Sequence, residues 1–77
     1  MSRPALVWNT IPDENDYFSA RPAPGRLYCV EFDGPLWLST SYDYSGDAVV
    51  EAALGGFLDD AKAKAACERH WQGGNHG

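Results

Sequence analysis

The feature that most constrains the fold of this chain is a hairpin pattern in its middle. Residues 26–32 alternate between two faces, and residues 36–42 alternate in the same way. Between the two runs stands Asp33-Gly34, and an Asp-Gly pair flanked by apolar runs is a strong signal for a tight turn between antiparallel strands. The chain is therefore predicted to fold around an antiparallel sheet.

The side chains of this hairpin predict which face of the sheet meets the core. In the first strand, Tyr28, Val30 and Phe32 share one face. In the second strand, the set that begins with Leu36 is favoured as the core face, although Trp37 belongs to the other set and leaves the assignment open. The two sets are Leu36, Leu38, Thr40 and Tyr42 against Trp37, Ser39 and Ser41.

Other segments extend the sheet. Residues 6–9 and 17–20 are short β-type runs separated by an acidic loop, and two prolines in residues 21–25 end the second run. Residues 48–54 fit two structures, because Val49 and Val50 favour a strand whereas Asp47 and Gly55 suit the two ends of a short helix. The strand is favoured, since a hairpin return follows naturally.

The C-terminal segment predicts a helix over residues 61–71, which are rich in helix formers. Asp59 is the expected N-cap, and one narrow face is small and apolar. That face consists of Ala63, Ala66, Cys67 and His70. The predicted fold class is α+β, a small antiparallel sheet of four to five strands covered by one C-terminal helix. Residues 1–72 form a single domain and residues 73–77 a flexible tail.

Charge limits the partners that the chain can bind. Eleven acidic residues face six basic ones, and the net charge of −5 lies almost wholly before Gly55. Such a protein repels nucleic acid and anionic membranes and attracts basic protein surfaces. The N-terminus lacks the apolar core of a signal peptide, and no apolar run approaches the ~20 residues that cross a membrane. We expect a soluble cytoplasmic protein with reduced thiols.

The residues that carry chemistry form no strong catalytic or metal-binding motif. Cys67 and His70 are one helical turn apart and, with Cys29 and His76, have the donor types of a zinc site, but a Cys-x-x-Cys knuckle is missing. The same Cys67–His70 pair lacks an orienting group for nucleophilic catalysis. The carboxylates of residues 13–16 are interpreted as a solvated loop. No enzyme activity, cofactor or metal is predicted.

Several landmarks spread over residues 6–71 resemble small α+β proteins of phages and prophages of GC-rich bacteria. They are Leu6-Val7-Trp8, Phe18-Ser19-Ala20, Gly25-Arg26 with Tyr28 and Val30, Leu36-Trp37-Leu38, Leu54-Gly55-Gly56-Phe57, and the run from Ala63 to Trp71. The chain also looks like a phage anti-CRISPR protein that inhibits a type I-C Cascade complex. The resemblance implies a sheet covered by one helix and a place in the infected bacterial cell, and it transfers no functional residue.

The predicted function is inhibition of a CRISPR effector by binding a basic, nucleic-acid-binding subunit and blocking target DNA. Carboxylates would imitate a row of phosphates, with aromatic side chains as anchors. The candidate residues are Asp13, Glu14, Asp16, Glu31, Asp33, Trp37, Tyr42, Asp43, Tyr44, Asp47 and Glu51.

Two alternatives remain open. One is a structural or regulatory domain without an inhibitory role, forming a homodimer through an exposed strand edge. The other is nucleic-acid binding through the basic helix residues Lys62, Lys64 and Arg69, against which the net charge counts.

Overall fold

A computed structural model describes residues 3–74 of the chain. Its five strands form one antiparallel sheet in which neighbours in sequence are neighbours in space, and a single helix follows. The elements are β1 (Asn9–Thr10), β2 (Tyr17–Ala20), β3 (Arg26–Asp33), β4 (Leu36–Asp43), β5 (Val50–Phe57) and α1 (Asp60–Arg69), which runs into a π-helical turn at His70–Gly74. The predicted α+β fold is confirmed. Of the predicted tail, residues 75–77 lie outside the described part of the chain.

The central hairpin forms as the turn signal predicts. Asp33 pairs with Leu36, so the β3–β4 connection is a two-residue loop. Its first residue, Gly34, has a φ of 67°, a left-handed conformation that glycine adopts at little cost because it lacks a Cβ. This turn sets the register of the hairpin, and with it the face that each side chain takes.

The pairing of β4 with β5 settles the ambiguity at residues 48–54. Residues 50–54 belong to a strand, β5, which begins two residues later than predicted and continues beyond the predicted bounds to Phe57. Ser39 pairs with Gly55 and Thr40 pairs with Ala53, so Leu54 is an extra residue in β5 and forms a β-bulge. Leu54 packs against the core. The bulge shifts the alternation by one residue, so Phe57 pairs with Trp37 and packs against the core as Leu54 does.

The N-terminal run differs from its prediction. Only Asn9–Thr10 pairs with β2, and the preceding residues leave the sheet. The backbone N–H of Leu6 donates to the carboxylate of Glu68 at 2.9 Å, and the indole N–H of Trp71 donates to the carbonyl of Pro4 at 2.9 Å. The predicted strand over 6–9 was therefore largely wrong, because contacts with the C-terminal helical segment replace strand pairing there.

The helix begins as predicted. The carboxylate of Asp59 accepts the backbone N–H of Lys62 at 2.8 Å, which satisfies one of the free donors of the first turn. Ala63 and Cys67 are fully buried. Because these side chains are small, the helix lies close to the sheet, and the hydroxyl of Ser39 donates to the carbonyl of Ala63 at 2.7 Å.

The favoured core face of β4 was wrong. Ser39 stands opposite Val30 and Trp37 stands opposite Phe32, so the helix covers the set that contains Trp37, Ser39 and Ser41. Serine is polar, yet a small hydroxyl beneath the helix fits the close approach and finds an acceptor in it. The core cluster consists of Leu6, Ala20, Tyr28, Val30, Ala63, Cys67 and Trp71.

Candidate functional site

One face of the sheet packs against the helix, and no described element covers the other. We call this second surface the open face. Strand register assigns its residues, since partners in adjacent strands project to the same side. The open face consists of Tyr17, Ser19, Leu27, Cys29, Glu31, Asp33, Leu36, Leu38, Thr40, Tyr42, Glu51, Ala53 and Gly56.

The centre of the open face is uncharged at neutral pH. The hydroxyl of Tyr17 and the thiol of Cys29 form a hydrogen bond of 3.1 Å. This bond and burial raise the pKa of Tyr17 to about 12. Burial also raises the pKa of the Cys29 thiol, an effect that the hydrogen bond from Tyr17 partly offsets. Both groups therefore stay protonated, and the centre is a polar but neutral patch.

Carboxylates flank this centre. Glu31 lies between Tyr17 and Leu38 on the neighbouring strands, and Glu51 stands opposite Tyr42. Partial burial and then the negative charge of Glu51 raise the pKa of Tyr42. Within residues 3–74 the only ion pair joins Lys64 to Asp60, at 3.3 Å, so neither glutamate is neutralised by a partner in this part of the chain. The open face therefore presents free negative charge beside aromatic surface.

A third aromatic side chain, Tyr44, extends the open face at the β4–β5 loop. The rings of Tyr42 and Tyr44 stack with their centroids 6.3 Å apart and 16° between their planes. The backbone N–H of Tyr44 donates to the carbonyl of Gly25 at 2.7 Å, which ties this loop to the β2–β3 loop. Asp43 accepts the backbone N–H of Ser45 at 2.8 Å, and hydrogen bonds from Ser45 lower the pKa of this carboxyl. The tyrosine pair is thus held by its loop.

The predicted carboxylates divide between two ends of the sheet. At one end, the β1–β2 loop with its three acidic residues lies beside the end of β3, since Phe32 N–H donates to the carbonyl of Asp16 at 2.9 Å. The opposite end carries the β4–β5 loop. The first group is Asp13, Glu14, Asp16 and Asp33, and the second is Asp43 and Asp47. They form no single row, and only Glu31 and Glu51 lie between the groups on the open face.

Trp37 does not share a surface with Tyr42. It faces the helix side of the sheet, where its ring lies 5.1 Å from that of Phe32 and 5.9 Å from that of Phe18, measured between centroids. It packs against the core cluster. Its first role is therefore to fill the space under the helix, and the aromatic side chains that accompany Tyr42 on the open face are Tyr17 and, from the adjoining loop, Tyr44.

The sulfur and imidazole groups lie apart or are already bonded. Burial raises the pKa of Cys67 to about 11, which keeps this thiol protonated and unreactive at neutral pH. Nδ1 of His70 is 2.7 Å from the hydroxyl of Tyr28. Cys29 lies on the open face, with the sheet between it and Cys67. Among residues 3–74 no group of three His, Cys, Asp or Glu side chains is arranged to hold a metal ion, and His76 lies outside this range.

The basic residues of the helix do not act as one stripe. The ammonium of Lys64 is 3.3 Å from the Asp60 carboxylate and 3.5 Å from the centre of the Phe18 ring. Lys62 and Arg69 are exposed.

In the described part of the chain, no helix combines the length and the apolar character that crossing a bilayer requires.

Sequence reasoning missed a polar cluster on the helix side. The hydroxyl of the fully buried Tyr28 accepts a hydrogen bond from Arg26 at 3.0 Å and contacts His70. The guanidinium groups of Arg26 and Arg3 lie 5.7 and 4.3 Å from the ring centre of Trp71. The signal in the sequence is the scarcity of cations before Gly55. The structure places two of the three arginines of that stretch, Arg3 and Arg26, beside the ring of Trp71. This cluster links Arg3 of the N-terminal segment and His70 and Trp71 of the helical segment to β3.

Comparisons with known proteins add no assignment. No family model, curated protein or solved structure matches the chain.

Proposed function

We propose that this protein is a non-enzymatic inhibitor that binds a basic protein surface and blocks the access of nucleic acid to it. One observation carries the proposal: the sheet is covered on one side only, and its open face combines neutral aromatic surface with unpaired carboxylates. A sheet face of this kind binds a partner by shape and charge and requires no chemical step.

The charge of the open face selects the partner. No Lys or Arg occurs between Arg26 and Lys62, a stretch that contains the whole of β4 and β5 and nearly all of β3. The potential above these strands is therefore negative, which favours encounter with a cationic surface and disfavours nucleic acid. A subunit that binds nucleic acid through Lys and Arg side chains offers the complementary surface.

The three long strands alone give the open face too little area for a stable interface, so the adjoining loops must contribute. Three eight-residue strands, at about 4.8 Å between strands and about 3.3 Å per residue, span on the order of 400 Å². A stable interface buries about 800 Å² on each partner. The acidic β1–β2 loop and the Tyr42–Tyr44 stack flank the sheet and supply the remaining area. Buried Tyr side chains are also common energetic centres of interfaces.

The resemblance to anti-CRISPR proteins supplies the candidate partner, a nucleic-acid-binding subunit of a type I-C Cascade complex in the cytoplasm of an infected bacterium. Binding there would block target DNA by occupying its cationic channel. The first test is a pull-down of the purified protein with this complex at low and high salt, with target-DNA binding as the second readout. Inhibition that weakens as salt rises is the expected result, since screening weakens exposed charge pairs.

A matched pair of variants tests the surface. Glu31→Gln with Glu51→Gln raises the net charge by two on the open face, and Ala61→Lys with Ala65→Lys raises it by two on exposed positions of the helix. The first variant should lose binding and the second should retain it. Equal loss in both would show that only total charge matters, and absence of binding by the unaltered protein at either salt would remove the proposed partner.

A further inference from the structure

We infer that the free edge of β5 binds an extended segment of a basic partner protein as a sixth, antiparallel strand of the sheet. The two edges of the sheet differ greatly. β1 closes one edge with two residues and is soon followed by a proline, Pro12. β5 closes the other with eight residues, none of them proline, and beyond it lies no described strand. Unpaired backbone N–H and C=O groups along such an edge are a template for strand addition.

The side chains of β5 leave this edge accessible. Val50 is 63% exposed, and the next residues include the small Ala52 and Ala53. Natural edge strands are commonly blocked by prolines, lysines or inward-pointing charges. β5 has one charged residue, Glu51, which projects on the open face. The bulge at Leu54 interrupts the edge, so the added strand pairs along residues 50–53.

The chemistry of the occupant follows from the two sides of β5. Glu51 marks the open-face side, where a cationic side chain of the added strand would lie beside it. Val50, which is 63% exposed, projects on the other side, which favours an apolar residue. The segment therefore alternates basic and apolar residues.

Charge also argues against a second copy of this chain as the occupant. Residues 44–61 contain four acidic residues and no basic one. Pairing β5 with itself would bring these like charges together in a dimer of twice the net charge, whereas a basic segment is attracted to them. The inference rests on the proposed function in one respect, namely that the partner is a basic protein.

The test uses a synthetic probe, an acetylated and amidated hexapeptide of alternating lysine and valine, with the isotope-labelled full chain. Backbone amides at the outer side of residues 50–53 should exchange rapidly in the free protein and at least about tenfold more slowly when the peptide is saturating. The same peptide with glutamate in place of lysine should give no protection. Absence of protection in β5 with the lysine peptide would overturn the inference.

Variants separate the edge from the open face. Val50→Lys places a lysine on the edge and should weaken peptide binding about tenfold or more, whereas Val7→Lys, at a position 74% exposed in the N-terminal segment, should leave it unchanged. Equal binding by both variants, or protection of β5 without peptide together with a dimeric mass, would contradict strand addition. The peptide experiment and the Cascade pull-down test separate claims. Protection of β5 by the peptide without binding to Cascade would support strand addition at the β5 edge and would remove Cascade as the proposed partner.

Discussion

On the helix side of the sheet, the buried hydroxyls of Ser39 and Tyr28 bond within the protein, whereas the open face keeps its charges for solvent. Ser39 donates to the helix, and Tyr28 joins Arg26 to His70. On the open face, one weak bond joins Tyr17 to Cys29, and the glutamates form no ion pair within residues 3–74. Changes on the covered face should therefore cost folding free energy, whereas changes on the open face should alter surface charge and the proposed binding.

The largest expected effect breaks the covered face by overfilling it. Ala63 is fully buried, and its carbonyl accepts the Ser39 hydroxyl. Ala63→Leu should therefore lower the free energy of unfolding by about 2–3 kcal/mol, because the helix must move away from the sheet. Urea denaturation followed by circular dichroism measures the change.

The control for this substitution is at Ala65, two residues further along the same helix. Ala65 is exposed, so Ala65→Leu makes the same chemical change without contact with the sheet. It should change the free energy of unfolding by no more than about 0.5 kcal/mol. If both variants were equally stable, the close approach of helix and sheet would not hold in solution.

A smaller loss is expected from the buried hydroxyl. Tyr28→Phe removes the oxygen that bonds Arg26 and His70, and Arg26 Nε is already buried without a hydrogen-bond partner among the described residues. The free energy of unfolding should fall by about 1–2 kcal/mol, since buried polar groups are left unpaired. Tyr44→Phe, at an exposed ring, is the matched control. If the two variants melted identically, the cluster would not contribute to holding the N-terminal segment and the helical segment against β3.

The same cluster predicts a pH dependence. Burial and then the charge of Arg26 lower the pKa of His70 below its ordinary value of 6.5. Between the lowered folded pKa and 6.5, the unfolded chain binds the proton and the folded one does not, so stability falls as the pH drops from 6.5 through the folded pKa. His70→Gln should flatten the stability curve in this window, as measured by urea denaturation at several pH values. A curve unchanged by the substitution would show that His70 is not the responsible group.

The contrast between the two faces also explains what the sequence reveals. The β3–β4 hairpin and the start of α1 are local, because Asp33-Gly34 defines the turn and Asp59 caps the helix within three residues. Which face of β4 meets the core is not decided by local sequence, because both sets of alternating side chains contain an aromatic residue. The hydrogen bond that distinguishes them joins Ser39 to Ala63, 24 positions away. The N-terminal run likewise depends on Glu68, 62 residues from Leu6.

The candidate surface was predictable in kind and not in arrangement. Counting carboxylates identifies an acidic half, but topology sends the β1–β2 loop and the β4–β5 loop to opposite ends of the sheet. Only Glu31 and Glu51 remain on the open face between them. The sequence predicts Tyr17 only as part of a short strand; the β2–β3 register places it opposite Glu31, and its hydroxyl reaches the thiol of Cys29 at 3.1 Å.

The smallest expected effect sharpens the comparison on the open face. Glu51→Gln should change the free energy of unfolding by no more than about 0.5 kcal/mol, because Glu51 is exposed. The substitution should nevertheless lower the pKa of Tyr42, since the charge of Glu51 helps to raise it, while burial continues to hold it above its ordinary value. Nuclear magnetic resonance titration of the tyrosine ring measures this shift, with Glu14→Gln in the distant loop as the control. If Tyr42 titrated identically in both variants, Glu51 would not face it, and the charged border of the open face would have to be redrawn.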